Sequence, residues 1–146
     1  MTGKILTAIT SEPLDVANAI EGVAAPEHGG TAMFVGTVRE SPSADTGSPA
    51  PVISLEYDAH PRLASERLEQ IAREAAEKWT LGRVVAIHRV ATCKVGEPTV
   101  VVACGAPHRG DALEACRWII DTIKDTVPIW KREVYADGSS WVGTGA

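Results

Sequence analysis

The chain has 146 residues, 45% of them apolar, enough for one core and one domain over residues 1–146 but not for two. Fourteen basic against nineteen acidic residues leave a net charge of −5, which disfavours nonspecific binding to nucleic acid or an anionic membrane and makes any basic site a local one. No apolar run approaches membrane-spanning length, the early ILTAI is too brief for a secretory signal, and three cysteines without a CxxC pair or nearby histidines argue against disulfide and zinc frameworks, so a cytoplasmic protein without a metal is expected.

Residues 4–10 are β-branched enough for a first strand, and Ser11 with Pro13 opens a short helix through about Val23. AAPEHGG is a loop that delivers the chain into TAMFVGTV, a buried strand by its length and branching. Gly36 within it marks either tight packing or a close approach. Residues 39–51, RESPSADTGSPAP, contain almost nothing apolar and predict a mobile surface loop of a length that is frequently functional.

VISLEYDA resumes a strand, with Ile53, Leu55 and Tyr57 on one face and Ser54, Glu56 and Asp58 on the other. Pro61 opens a helix with Leu68, Ile71, Ala75 and Trp79 as its buried stripe, Glu69–Arg73 and Glu74–Lys78 as outer ion pairs, and Gly82 as its end. RVVAIHRV is a strand in which His88 reads as half-exposed, TCKVGEP is a turn, and PTVVVACGAP is apolar enough to be a central strand. After Pro128, IWKREVY alternates briefly and the chain turns at Asp137-Gly138. Strands 31–38 with 52–58, and 84–91 with 98–104, are each joined by a loop or turn and predict antiparallel pairs. The expected class is α+β, with a mainly antiparallel sheet and two to three main helices.

The segment from Gly105 to Glu133 carries the chemistry. Leu113, Cys116, Ile120, Ile123 and Val127 recur at helical spacing until Pro128 stops the helix. At ~100° per residue, Lys124 falls about 60° from the centre of that stripe, at its border. Partial desolvation there lowers a lysine's pKa and makes it a usable proton donor, acceptor or nucleophile, although Asp121 three residues back can pair with it and a snorkelling side chain is the alternative. Arg39, His108, Arg109, Lys131 and Arg132 join it at strand and helix ends, where they form either one anion-binding cleft or ordinary solvated charge. Cys104 and Cys116 lie in apolar segments and read as small buried hydrophobes. There is no Ser/His/Asp pattern, Walker loop or GxGxxG fingerprint.

The succession MFVGTVRE, SLEYDAHPRLA, LGRVVAIHRV, VGEP, APHR and DTIKDTVPIWKRE, from about Thr31 to Val142, resembles the large, catalytic subunit of molybdopterin synthase. That resemblance implies an α/β hammerhead-type fold and a sulfurtransferase that converts cyclic pyranopterin monophosphate to molybdopterin. Both dithiolene sulfurs would come from the C-terminal Gly-Gly thiocarboxylate of a separate, small ubiquitin-like partner. It implies further a homodimer that forms the core of a heterotetramer, and a step that uses no metal or other cofactor. Residue by residue, Lys124 and Lys131 match the catalytic lysines. Thr37, Val38 and Arg39 match the substrate-binding strand end, His108 and Arg109 an anion-contacting pair that in this family can reach the site across the dimer. Arg132 and Glu133 match the neighbours of the second lysine and are implied to bind substrate with it, and Phe34 matches a pocket-lining aromatic. The chain departs from the family's better-known members in its tail: theirs is basic, whereas no charged residue follows Asp137 here.

Overall fold

The computed structural model describes residues 4–43, 46–48 and 50–144; residues 44, 45 and 49 of the predicted loop and the final two residues lie outside the described residues. Eleven elements follow one another: β1 Lys4–Thr10, α1 Val16–Gly22, β2 Gly30–Thr37, β3 Val52–Ala59, α2 Pro61–Lys78, β4 Arg83–Arg89, β5 Thr92–Lys94, β6 Pro98–Ala106, α3 Arg109–Thr126, β7 Ile129–Tyr135 and β8 Ser140–Thr144. The strands form two four-stranded sheets, one in the order β1-β4-β6-β2 and the other β5-β3-β7-β8. Among the described residues only β1 and β4 pair in parallel; the α+β class with mainly antiparallel pairing is the observed one.

Strand β6 explains the layering. Thr99 to Ala106 are all buried because both faces of the first sheet are covered. Val100, Val102, Cys104 and Ala106 face the main core with α2 and α3, while Val101 and Ala103 meet Ala19 and Val23 around α1 on the other side. The ring of His28 lies against Gly82 and Gly105, where a Cβ at either glycine would overlap it, so these glycines admit the loop rather than end an element. Helix α2 stops earlier, at Lys78.

Several expectations change. Strand β2 pairs with β6 and not with β3, because residues 38–51 carry the chain from one sheet to the other. The predicted pairing of the strands at 84–91 and 98–104 is present as β4–β6. Ile53 is 51% exposed while Val52 is buried, since a register shift between Val52 and Ser54 interrupts the alternation. TCKVGEP contains the short strand β5, and α1 begins only at Val16, capped by Asp15. Arg73 pairs with Glu69 at 2.7 Å, but Glu74 lies 3.9 Å from Arg67, and Lys78 stacks over Trp79 and Trp118.

Helix α3 runs up to the predicted stop, where Val127 takes the extended backbone required before Pro128. Its buried face is Ala112, Ala115, Cys116, Ile119, Ile120 and Ile123; Leu113, predicted to belong to it, is 60% exposed. Ile119→Ala should therefore cost about 2–5 kcal/mol in urea unfolding, against less than about 1 kcal/mol for Leu113→Ala.

Candidate active site

The two sheets part around a crevice at the C-terminal end of α3. Its cavity of about 300 Å3 is lined by residues from β2, β3, β6, α3 and β7, together with Arg39, Ser41 and Ser43 of the connecting segment. Strand β2 contributes Phe34, Gly36 and Thr37, and a bulge between Gly36 and Thr37 turns the strand end into the opening. A Cβ on Gly36 would stand 2.7 Å from a Val100 methyl, so this wall admits no side chain there. Thr99, left out of the β2–β6 register by the bulge, donates its hydroxyl to the Gly36 carbonyl at 3.3 Å.

Three of the six cations singled out in the sequence line this crevice: Arg39, Lys124 and Lys131. Lys124 as a whole is exposed, yet lining the crevice desolvates it. That desolvation, followed by the positive charges of Lys131 and then Arg39, lowers its pKa from the ordinary lysine value, and Asp121 opposes the shift. Lys131 enters from β7 directly opposite Tyr57 of β3. One turn of helix and two strand ends thus deliver three positive charges to one small volume, an arrangement suited to anions.

Tyr57 also lines the crevice, and its ring is buried. Tyr57 packs edge-on to His88 at 5.2 Å between ring centroids. His88 is fully buried, contrary to the half-exposed reading, because Tyr57 of the other sheet covers it. Burial pulls its pKa down to about 4, the Lys124 charge adds to the lowering, and its hydrogen bond to the Arg89 carbonyl at 2.8 Å opposes them. His88 is neutral at physiological pH, with Nδ1 as the donor. Tyr57, Thr99, Ser41 and Ser43 carried no sequence signal beyond strand alternation and loop composition.

The remaining predicted residues are placed differently. Val38 lines no part of the crevice: its side chain is 2% exposed in the core, its N–H donates to the Glu97 carbonyl, and its own carbonyl accepts from Gly96. Arg132 alternates to the outer face of β7, exposed and 4.0 Å from Glu56. Glu133 lines the crevice but is 3% exposed. Burial alone would raise its carboxyl pKa; hydrogen bonds from Ser43 and Tyr135 and the Lys131 charge bring it below the ordinary value. His108 and Arg109, both exposed, sit at the N-terminal end of α3. At ~1.5 Å per residue that end is roughly 22 Å along the helix from Lys124, so within one chain they do not join the other cations. Among the described residues no cluster of His, Cys, Asp or Glu could hold a metal ion, and no helix is long and apolar enough to cross a membrane.

The family described as MoaE protein matches residues 9–126. The catalytic subunit of molybdopterin synthase from Halalkalibacterium halodurans is 38% identical over 136 residues, 93% of this chain and 84% of that protein. The crystal structure of molybdopterin synthase from Staphylococcus aureus superposes with a TM-score of 0.83 at 31% identity, covering 93% of this chain and 95% of that one. A Helicobacter pylori chain, solved in a complex of subunits 1 and 2 of molybdopterin-converting factor, shares the fold at a TM-score of 0.70 and 20% identity, covering 91% of this chain and 86% of that one.

Because neighbouring charge contributes to the lowered pKa of Lys124, Lys131→Ala and Arg39→Ala should each raise it, the former more. NMR titration of the methylated lysine reads the shift directly. The same lowering places the loss of charge on Lys124 at a lower pH than for a free lysine, so a basic limb in the pH profile is expected below 10.5.

Proposed function

This chain belongs to the MoaE protein family, whose members include molybdopterin synthase catalytic subunits of molybdenum cofactor biosynthesis, and from that premise we propose that its crevice is the sulfur-transfer site. There, cyclic pyranopterin monophosphate receives two sulfurs from the C-terminal Gly-Gly thiocarboxylate of a small ubiquitin-like partner. The observation that carries this reading is the convergence of Arg39, Lys124 and Lys131 on one cavity of about 300 Å3.

The chemistry needs those charges. A phosphate-bearing substrate and an anionic thiocarboxylate repel each other, and sulfur attacks only if that repulsion is removed. Positive groups fixed in a crevice do this without reorganising during the reaction. Arg39 holds the substrate at the β2 end, and Phe34, 36% exposed at the rim, lies against it. Lys124 and Lys131 orient the thiocarboxylate and move protons during addition and elimination, Lys124 with a pKa already lowered for that task. Thr37 stands at the same strand end and offers a hydroxyl to the substrate.

His108 and Arg109 are assigned to the site of a second copy of the chain, since roughly 22 Å of helix separates them from Lys124 of their own. That assignment makes the working unit a homodimer, and one small subunit on each protomer gives a heterotetramer. The net charge of −5 and the local cationic crevice suit a cytoplasmic enzyme with small-molecule and protein partners rather than nucleic acid or membrane. Cys93, Cys104 and Cys116 are all buried, which favours direct transfer over a protein persulfide.

The test mixes the purified chain with a thiocarboxylated small partner and cyclic pyranopterin monophosphate and measures dithiolene product. Lys124→Ala should lower turnover by at least about 100-fold, the scale of general acid–base catalysis, while leaving the oligomer intact. Product formed at the wild-type rate by that variant would remove Lys124 from the mechanism. A folded triple cysteine-to-alanine variant should keep its activity.

A further inference from the structure

We propose that Glu133 is a positioning residue rather than a substrate ligand: by accepting hydrogen bonds from Ser43 and Tyr135 it fixes the segment after β2 as the crevice wall that carries Arg39. The proposal rests on the sulfur-transfer reading for the identity of the substrate, but not for the anchor itself.

The carboxylate is committed on several sides. The Ser43 N–H donates to Oε1 at 3.2 Å, the Ser43 hydroxyl donates to Oε2, and the Tyr135 hydroxyl donates to Oε1 at 2.9 Å. A buried carboxylate with donors on both oxygens is satisfied within the protein, and its negative charge would repel a phosphate or a thiocarboxylate. Glu133 is therefore poorly suited to hold either reactant, although it lines their cavity.

Its partners show what it holds. Ser43 is 90 residues away in sequence and belongs to the connection between the two sheets. The Ser43 carbonyl accepts from the Thr46 N–H at 3.2 Å and the Thr46 hydroxyl at 3.0 Å, which ties Thr46 to the anchor point. The base of the connection is closed where the Val52 N–H donates to the Glu40 carbonyl at 2.8 Å, and its end is joined to the residue just after β7 where the Ala136 N–H donates to the Pro51 carbonyl at 2.9 Å. Glu133 supplies the contact nearest the chemistry. Without it, Ser41 and Ser43 lose their tie to β7, and Arg39 is held only through its neighbours, by the Val38 bonds to Glu97 and Gly96 on one side and the Glu40–Val52 bond on the other. Correct aim of a substrate-holding arginine depends on such fixing.

Ser43→Ala removes a donor and leaves the carboxylate in place. The anchor itself is read without any reactant, by amide hydrogen exchange at Ser43, which should quicken at least about tenfold in Ser43→Ala and in Tyr135→Phe. In turnover with a thiocarboxylated partner, Ser43→Ala should raise KM for cyclic pyranopterin monophosphate about tenfold with kcat changed less than about twofold, the signature of weakened holding rather than lost chemistry. Ser43→Thr, which keeps the hydroxyl, should restore KM. Unchanged exchange in both variants, or a fall in kcat with KM unchanged, would overturn the proposal. Absence of turnover in the wild type would count against the sulfur-transfer reading, while the exchange measurement would still decide the anchor.

Discussion

Mutual repulsion among Arg39, Lys124 and Lys131 is the constraint around which the crevice is built. Such a cluster persists only when the surrounding structure holds it, and it is relieved when an anion enters. The pKa of Lys124 is lowered first by desolvation in the crevice and then by the charges of Lys131 and Arg39. Stability and function pull in opposite directions here, as expected where charge is gathered to bind charge.

The fold supplies the holding. Helix α3 is buried along one face from Ala112 to Ile123 and so cannot move Lys124 away from the crevice, and Pro128 turns the chain so that Lys131 enters from β7 only a few residues later. The first sheet brings Arg39 from the end of β2, and the second brings Lys131 and Glu133. The site therefore exists only where the two sheets meet, with Tyr57 of the second sheet in its lining and His88 of the first packed against that ring. A neutral His88 adds no charge under a crevice that already holds three.

Much of this was legible from the sequence where signals are local. The 3.6-residue period, the proline stop and a lysine at the border of the apolar stripe gave α3 and Lys124 before any fold was known, and the unbroken apolar run of β6 announced a central strand. What could not be read depends on contacts between distant segments. Leu113 looked like core by size, but α3 packs on the sheet and on α2 through the small Ala112 and Ala115 instead. His88 looked half-exposed because its cover, Tyr57, comes from another sheet. The polar run at 39–51 signalled a loop but not that it crosses between sheets, and nothing in it marked Ser43 as the partner of a glutamate 90 residues on. Conversely, His108 and Arg109 are near Lys124 in sequence and far from it along the helix, a separation that periodicity alone already implied.

If the three cations form a site for an anion, the most direct measurement is the pKa of Lys124 with and without the thiocarboxylated tail of the small partner, followed by NMR on the isotopically methylated lysine. A negative charge placed beside Lys124 should raise its pKa from the lowered value toward or above that of an ordinary lysine. A pKa that stays where it was while the tail is bound would contradict the claim.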